Sequence, residues 1–238
     1  MDPSDLGEIP LVRLQDRVPD LASFLSPEVG ILLTNPHNPT GWLWSQESLA
    51  ALLSQCRLLI IDEAFMDFLP PEQQQSLISA VHRYENLVIL RSLTKFYSLA
   101  GLRLGYAIAH PQRLECWRHW RDPWAVNSLA AAVGSVLPQD RDFQLKTWAW
   151  LPAARAELLA GLQGLPGLNP YPSAANFVLV RCDAVPVPDL QRQLLLQFHI
   201  YIRDCVSFPE LGDRFFRVAV RSAADNRRLL AALAKLLP

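Results

Sequence analysis

Three short apolar runs, each cut off by a cluster of polar residues, constrain this chain more than any other feature. Ile31-Leu32-Leu33-Thr34 stops at Asn35-Pro36-His37-Asn38-Pro39-Thr40-Gly41, Leu58 to Ile61 stops at Asp62-Glu63, and Leu87 to Leu90 stops at Arg91-Ser92-Leu93-Thr94-Lys95. Unbroken apolar runs of this length suit strands buried on both faces, as in a parallel sheet. Between the first two runs, Ser45 stands where a helix N-cap belongs, and Leu49, Leu52, Leu53 and Cys56 recur at i, i+3, i+4 and i+7. Strands alternating with helices predict an α/β fold with a largely parallel sheet. In such sheets ligands bind beyond the carboxyl ends of the strands, and all three polar clusters fall there.

The pattern divides the chain into three stretches. Residues 1–29 carry Pro3, Pro10, Pro19 and Pro27, show no sustained period, and read as a connecting segment. Residues 30–145 form a larger α/β unit, with a further strand at Gly105 to Ala109. A helix opens at Pro111 with Leu114 and Trp117 inward, and Val126, Ala130, Val133 and Leu137 give another helical stripe. Residues 146–238 form a smaller α+β unit, with Pro138 to Arg155 carrying the chain towards it. Its predicted strands are Asn176 to Arg181 and Phe215 to Val220. A helix at Pro188 to Phe198 turns Leu190, Leu194, Leu195 and Phe198 inward, and a last helix is capped by Ser222 with Asp225.

Half of the 238 residues are hydrophobic and 19% are charged, enough to build a core. The net charge of −1 excludes the basic excess of a protein that lives on nucleic-acid phosphates, but leaves room for a local cationic site. No run approaches a membrane span. The acidic start Met1-Asp2-Pro3-Ser4-Asp5 lacks the blocks of a signal peptide, and Cys56, Cys116, Cys182 and Cys205 are scattered. Metal binding and a disulfide framework are poor readings, and a cytoplasmic location is expected.

Each polar cluster has a plain reading when taken alone. Asn35 to Gly41 could be an ordinary strand-to-helix turn, Asp62 a helix cap or surface acid, and Lys95 a solvated lysine. Arg203, Arg217 and Arg221 could be surface charges. Together they ask for one ligand. A carboxylate at a strand end needs a cation, and hydroxyls, an amine and the guanidinium of Arg103 near one strand end make a cradle for a dianion beside a nucleophile. Arg217 and Arg221 share a face if both lie on one strand. A Lys that forms a Schiff base and an acid paired with a pyridinium are the signature of pyridoxal phosphate enzymes.

The order Asn35-Pro36-His37-Asn38-Pro39-Thr40-Gly41, a strand ending in Asp62, Ser92-Leu93-Thr94-Lys95 followed by Arg103, and Phe215-Phe216-Arg217-Val218 resembles fold-type I pyridoxal phosphate enzymes of the class I/II aminotransferase group. Asp62 to Phe68, Tyr201 to Cys205 and Arg214 to Arg221 look nearest to the threonine-phosphate decarboxylases of cobalamin synthesis. Histidinol-phosphate aminotransferases share the framework. The resemblance runs from about Gly30 to the end and implies pyridoxal 5′-phosphate as cofactor. It implies that 30–145 is part of the large cofactor-binding domain of a truncated transferase-like fold, with the small domain at 146–238.

By resemblance, Lys95 binds the cofactor aldehyde and moves protons at the substrate α-carbon. Asp62 holds the pyridinium nitrogen, Asn38 donates to the phenolic oxygen, and Ser92 and Arg103 hold the cofactor phosphate. Arg217 grips the substrate α-carboxylate and Arg203 its phosphate. The implied reaction is decarboxylation of L-threonine O-3-phosphate to aminopropanol phosphate and carbon dioxide, by a homodimer acting on a small phosphorylated amino acid. A histidinol-phosphate-type aminotransferase is the alternative, and an inactive remnant serving as an interaction module is the second.

Two features depart from the resemblance. Phe65 stands where many relatives have a Tyr that also donates to the cofactor oxygen. The chain also lacks the first part of a usual member, which carries a glycine-rich phosphate turn and a ring-stacking aromatic residue, and so it reads as a truncated product.

Overall fold

The computed structural model describes residues 25–237, so the predicted connecting segment falls largely outside the described residues. Four strands form the first sheet: β1 (Gly30–Thr34), β2 (Leu58–Asp62), β3 (Leu87–Ser92) and β4 (Gly105–Ala109), in that order across the sheet. The three apolar runs pair in parallel, aligning Thr34 with Asp62 and Asp62 with Leu90, so their polar sequels emerge along one edge. β4 runs antiparallel to β3. Helix α1 (Gln46–Leu52) starts where Ser45 Oγ accepts the Ser48 N–H, and it buries Leu49 and Leu52. These side chains join Leu59, Ile61, Leu87 and Ile89 in the core of this unit.

Beyond β3 comes the single-turn helix α2 (Leu93–Phe96), which carries Lys95. Helices α3 (Pro111–Trp120) and α4 (Ser128–Gly134) follow. The inward stripes expected here are not formed: α3 buries no residue and α4 buries only Ala130. Val126 precedes α4, and Trp120, Trp124 and Leu129 are among the most exposed apolar side chains described. Among the described residues they are therefore not packed into a core.

Where the chain was expected to cross between units, helix α5 (Arg141–Gln163) runs unbroken for 23 residues and contains Pro152. It ties the units together. Trp148 Nε1 donates to the Asp67 carbonyl at 2.8 Å, and Leu151, Leu158 and Leu162 share one core with Phe68 and Phe96.

The second sheet is wholly antiparallel, in the order β5 (Leu168–Pro170), β6 (Phe177–Cys182), β8 (Phe215–Ala219), β7 (Arg203–Asp204). Helices α6 (Val187–Phe198) and α7 (Ala223–Leu236) pack on it with α5. Leu190 and Leu194 are buried as expected, but Leu195 points outward at 44% exposure. Ser222 Oγ accepts the Asp225 N–H and starts α7. Among the described residues no helix is long and apolar enough to cross a membrane.

Candidate active site

The turn after β1 is built by its asparagines. Asn35 is fully buried, and its amide is consumed structurally: Oδ1 accepts the Trp44 N–H at 2.9 Å, while Nδ2 donates to the Trp44 and Gln75 carbonyls. Asn38 is the one that faces the ligand edge, and its Oδ1 accepts from Arg217 Nη1 of the other unit. Between them His37 Nδ1 meets Thr40 Oγ1 at 2.8 Å, and burial lowers its pKa to about 4, so the ring stays neutral. Gly41, at φ +75°, lets the turn touch the second unit. A Cβ there would lie 2.0 Å from Ser173 Oγ, and the Gly41 carbonyl accepts the Ala174 N–H at 2.8 Å.

The acidic pair after β2 divides its labour. Glu63, not Asp62, takes the arginine. Its Oε2 stands 2.8 Å from Arg91 Nε and accepts from Ser76 Oγ at 2.8 Å, and Arg91 also pairs with Asp67. Asp62 has no ion-pair partner among the described residues, and its Oδ1 accepts the Ala64 N–H at 2.9 Å. The half-buried carboxylate is thus left at the strand end with no cation of the described protein against it, as a pyridinium partner requires.

Burial pushes Glu63 up to about 7, against the pull of Arg91. The folded state then holds a proton that the unfolded state has released between the ordinary value of 4.5 and about 7. Stability is greatest below that window and falls as pH rises through it, by at most about 3 kcal/mol from this group. Urea midpoints measured from pH 5 to pH 8 are expected to fall, and Glu63→Gln should flatten the fall.

Ser92 ends β3 and caps α2, its Oγ accepting the Thr94 N–H and lying 2.7 Å from Thr94 Oγ1. The next turn presents Lys95 to a cavity of about 540 Å³ shared by both units, which Phe65, Asn176, Arg203 and Arg217 also line. The sequence has three lysines, and the other two, Lys146 and Lys235, are engaged elsewhere, with Asp142 and the Phe198 ring respectively. Arg203 and Arg217 face each other across the β7–β8 ladder, and the Arg217 guanidinium lies 4.8 Å over the Phe177 ring. Arg221 lies beyond the end of β8 yet lines the same cavity. Burial lowers the Arg217 pKa from its ordinary value, though an arginine so placed remains charged at neutral pH.

Asn38, Asp62, Ser92 and Arg103 do not line this cavity, although Asn38 touches it through its bond from Arg217. Asp62 and Ser92 lie on adjacent strands at the same sheet edge, while Arg103 is exposed and donates to the Ala100 carbonyl at 3.0 Å.

Four further lining residues were given no task from the sequence: Asn176, His199, Tyr201 and Arg228. The Asn176-Phe177 step before β6 was visible, but nothing in its spacing assigned the amide a task. The lining has Lys95, Arg203, Arg217, Arg221 and Arg228 against Asp225 alone. Only Arg221 is within ion-pair distance of that acid, at 3.2 Å. Such a surplus in a concave site favours a ligand with more than one negative charge.

Comparison with known proteins decides the family. Residues 12–233 match the model of "Aminotransferase class I and II". The chain belongs to this family.

This aminotransferase class I/II chain is 44% identical over 219 residues to a threonine-phosphate decarboxylase of Salmonella typhimurium, covering 90% of the chain and 59% of that relative. Among solved structures it is similar to the histidinol-phosphate aminotransferase from Clostridium acetobutylicum, with TM-score 0.81, 28% identity, and coverage of 87% of this chain and 63% of that one. It is also similar to the histidinol-phosphate aminotransferase from Sinorhizobium meliloti solved with pyridoxal-5′-phosphate, with TM-score 0.76 and 26% identity. That match covers 86% of this chain and 56% of the other. The chain thus spans less than two thirds of the length of each.

Membership of this family bears out the α/β transferase-like fold. The site fits the cofactor on its own chemistry. Among the described residues it offers a lysine free of ionic partners, a strand-end carboxylate without a cation beside the cavity, and Arg203 and Arg217 without carboxylates.

Proposed function

We propose that this chain carries the cofactor-bearing part of a pyridoxal phosphate enzyme that decarboxylates L-threonine O-3-phosphate to aminopropanol phosphate and carbon dioxide. The single observation that carries the reading is that Lys95, Arg203 and Arg217 line one cavity whose cations outnumber its acids. The cofactor would be held by Lys95, by Asp62 at the ring nitrogen, by Asn38 at the phenolic oxygen, and by Ser92 and Arg103 at the phosphate. When bound, pyridoxal phosphate supplies an electron sink for the pair left at the substrate α-carbon. Phe65 has no hydroxyl, so Asn38 is the donor named for the phenolic oxygen.

The residues of this chain do the rest. Arg217 binds the substrate carboxylate and Arg203 its phosphate, so the bond to be broken is set by where two fixed guanidinium groups hold two anions. Releasing the carboxylate as carbon dioxide leaves an electron pair at the α-carbon, and a proton from Lys95 Nζ closes the balance there. The 44% identity to a threonine-phosphate decarboxylase supports this reaction over others. A second copy of the chain belongs to the same proposal, as does a cytoplasmic location. Trp120, Trp124 and Leu129 are apolar surface open to such a copy.

Transamination of a histidinol-phosphate-type substrate is the second reading, favoured by the likeness to the Clostridium structure. Both reactions need Lys95 and differ in the bond that breaks. The chain loaded with pyridoxal phosphate is expected to release carbon dioxide from L-threonine O-3-phosphate. Conversion of histidinol phosphate with 2-oxoglutarate, without carbon dioxide from threonine phosphate, would transfer the assignment to the second reading.

An Arg217→Ala variant should raise KM for the phosphorylated amino acid about tenfold to a hundredfold, the size of a lost charge-assisted contact. Steady-state kinetics check this, and an unchanged KM would remove Arg217 from the carboxylate.

A further inference from the structure

Among the described residues, buried side-chain polar atoms left without a hydrogen-bond partner are few, and only Asn176 Oδ1 belongs to a residue lining the cavity. A buried carbonyl with no donor is costly and uncommon. Two buried asparagines with structural tasks, Asn35 and Asn226, use both ends of the amide. Asn35 does so in its turn, and Asn226 accepts the Arg221 N–H while donating to the Arg221 carbonyl, both at 3.0 Å. The backbone of Asn176 is held, its carbonyl accepting the Val220 N–H at 2.8 Å, yet its side-chain Oδ1 has no partner among the described residues.

The setting defines what is missing. The charged groups lining the cavity are almost all cations, which only donate. Turning the amide over would point its NH₂ among donors, so the acceptor is the end the local field favours. The arginines answer anions, and the acceptor answers an N–H.

We propose that Asn176 is a substrate-recognition residue whose Oδ1 accepts an N–H of the incoming amino group, so that the site prefers amino-bearing phosphorylated acids to their deaminated counterparts. This rests on the reading that Lys95 holds the cofactor.

The test uses the full chain loaded with pyridoxal phosphate and then reduced with borohydride, which fixes the cofactor on Lys95 so that a ligand amine is read without bond formation. Calorimetry compares L-threonine O-3-phosphate with 3-phosphooxybutanoate, the same skeleton without the amine. The amine-bearing ligand is expected to bind about tenfold tighter. Asn176→Ala should abolish that preference without lowering the thermal midpoint, and Asn176→Asp, which retains an acceptor, should keep it.

A preference that survives in Asn176→Ala would overturn the proposal, as would a midpoint that falls with the preference intact, the mark of a structural residue. Weak binding of both ligands to a chain that did take up cofactor would also overturn it, while leaving Lys95 in place. Absence of the yellow band before reduction would instead overturn the cofactor reading and take this inference with it.

Discussion

Lys95→Ala is expected to lose the yellow absorption band that borohydride removes and to slow turnover by roughly a thousandfold or more, because in the proposed reaction one amine both anchors the cofactor and handles the proton at the α-carbon. The structure makes the expectation sharp. Of three lysines, Lys146 is tied to Asp142 on the surface of α5 and Lys235 lies against Phe198, so neither can take over. The fold should be unharmed. Lys95 is exposed on a single-turn helix held by Ser92 and by the buried side chains of Leu93, Thr94 and Phe96. Circular dichroism and the urea midpoint should therefore match the unmutated chain while the absorption scan and carbon dioxide release do not. A variant that keeps the band would place the cofactor on another group.

The largest effect on stability is expected at Arg91, which is 7% exposed and stands between Glu63 and Asp67. Arg91→Met leaves the buried Glu63 and the partly buried Asp67 without a cation, a situation that costs about 3–5 kcal/mol. For a chain of this size that is a fall of roughly 10 °C in the thermal midpoint. The loss should depend on pH in a definite sense. Burial raises the pKa of both acids, that of Glu63 up to about 7, so near pH 5 the Glu63 carboxyl is already neutral in the folded state and has less need of the guanidinium. Arg91→Met is therefore expected to be mildest near pH 5 and most damaging near pH 8. Differential scanning calorimetry across that range reads the trend, and a deficit that grew on acidification would show that the carboxyls are not the cause.

Much of this arrangement could be read from single runs of residues. The strands β1 to β3 announce themselves through their apolar runs, although the expected burial on both faces fails in β1, where Leu32 is 68% exposed. Ser45 and Ser222 mark helix starts through bonds made within three residues. Lys95 could be read because its motif follows a strand end, whereas Arg217 sits within β8 and is set beside it through the resemblance. What stayed hidden depends on partners far apart in the chain.

The direction of β4 is such a case, since an apolar run does not say which way it pairs. So is the division of labour at Asp62-Glu63, settled by Arg91 reaching back from β3. Gly41 looked like one turn residue among several until Ser173, 132 positions away, occupied the space a side chain would need. Pro152 reads as a break, yet α5 continues through it, carrying Leu151 and Ala154 into the shared core. Strands β5 and β7, three and two residues long, are too short for any period to register.

The most direct test of the account is a chemical map of the reduced, cofactor-loaded chain. Proteolysis and mass spectrometry should find a pyridoxyl group on the peptide containing Lys95 and on neither Lys146 nor Lys235. A label spread over all three lysines, or carried by one of the other two, would contradict it.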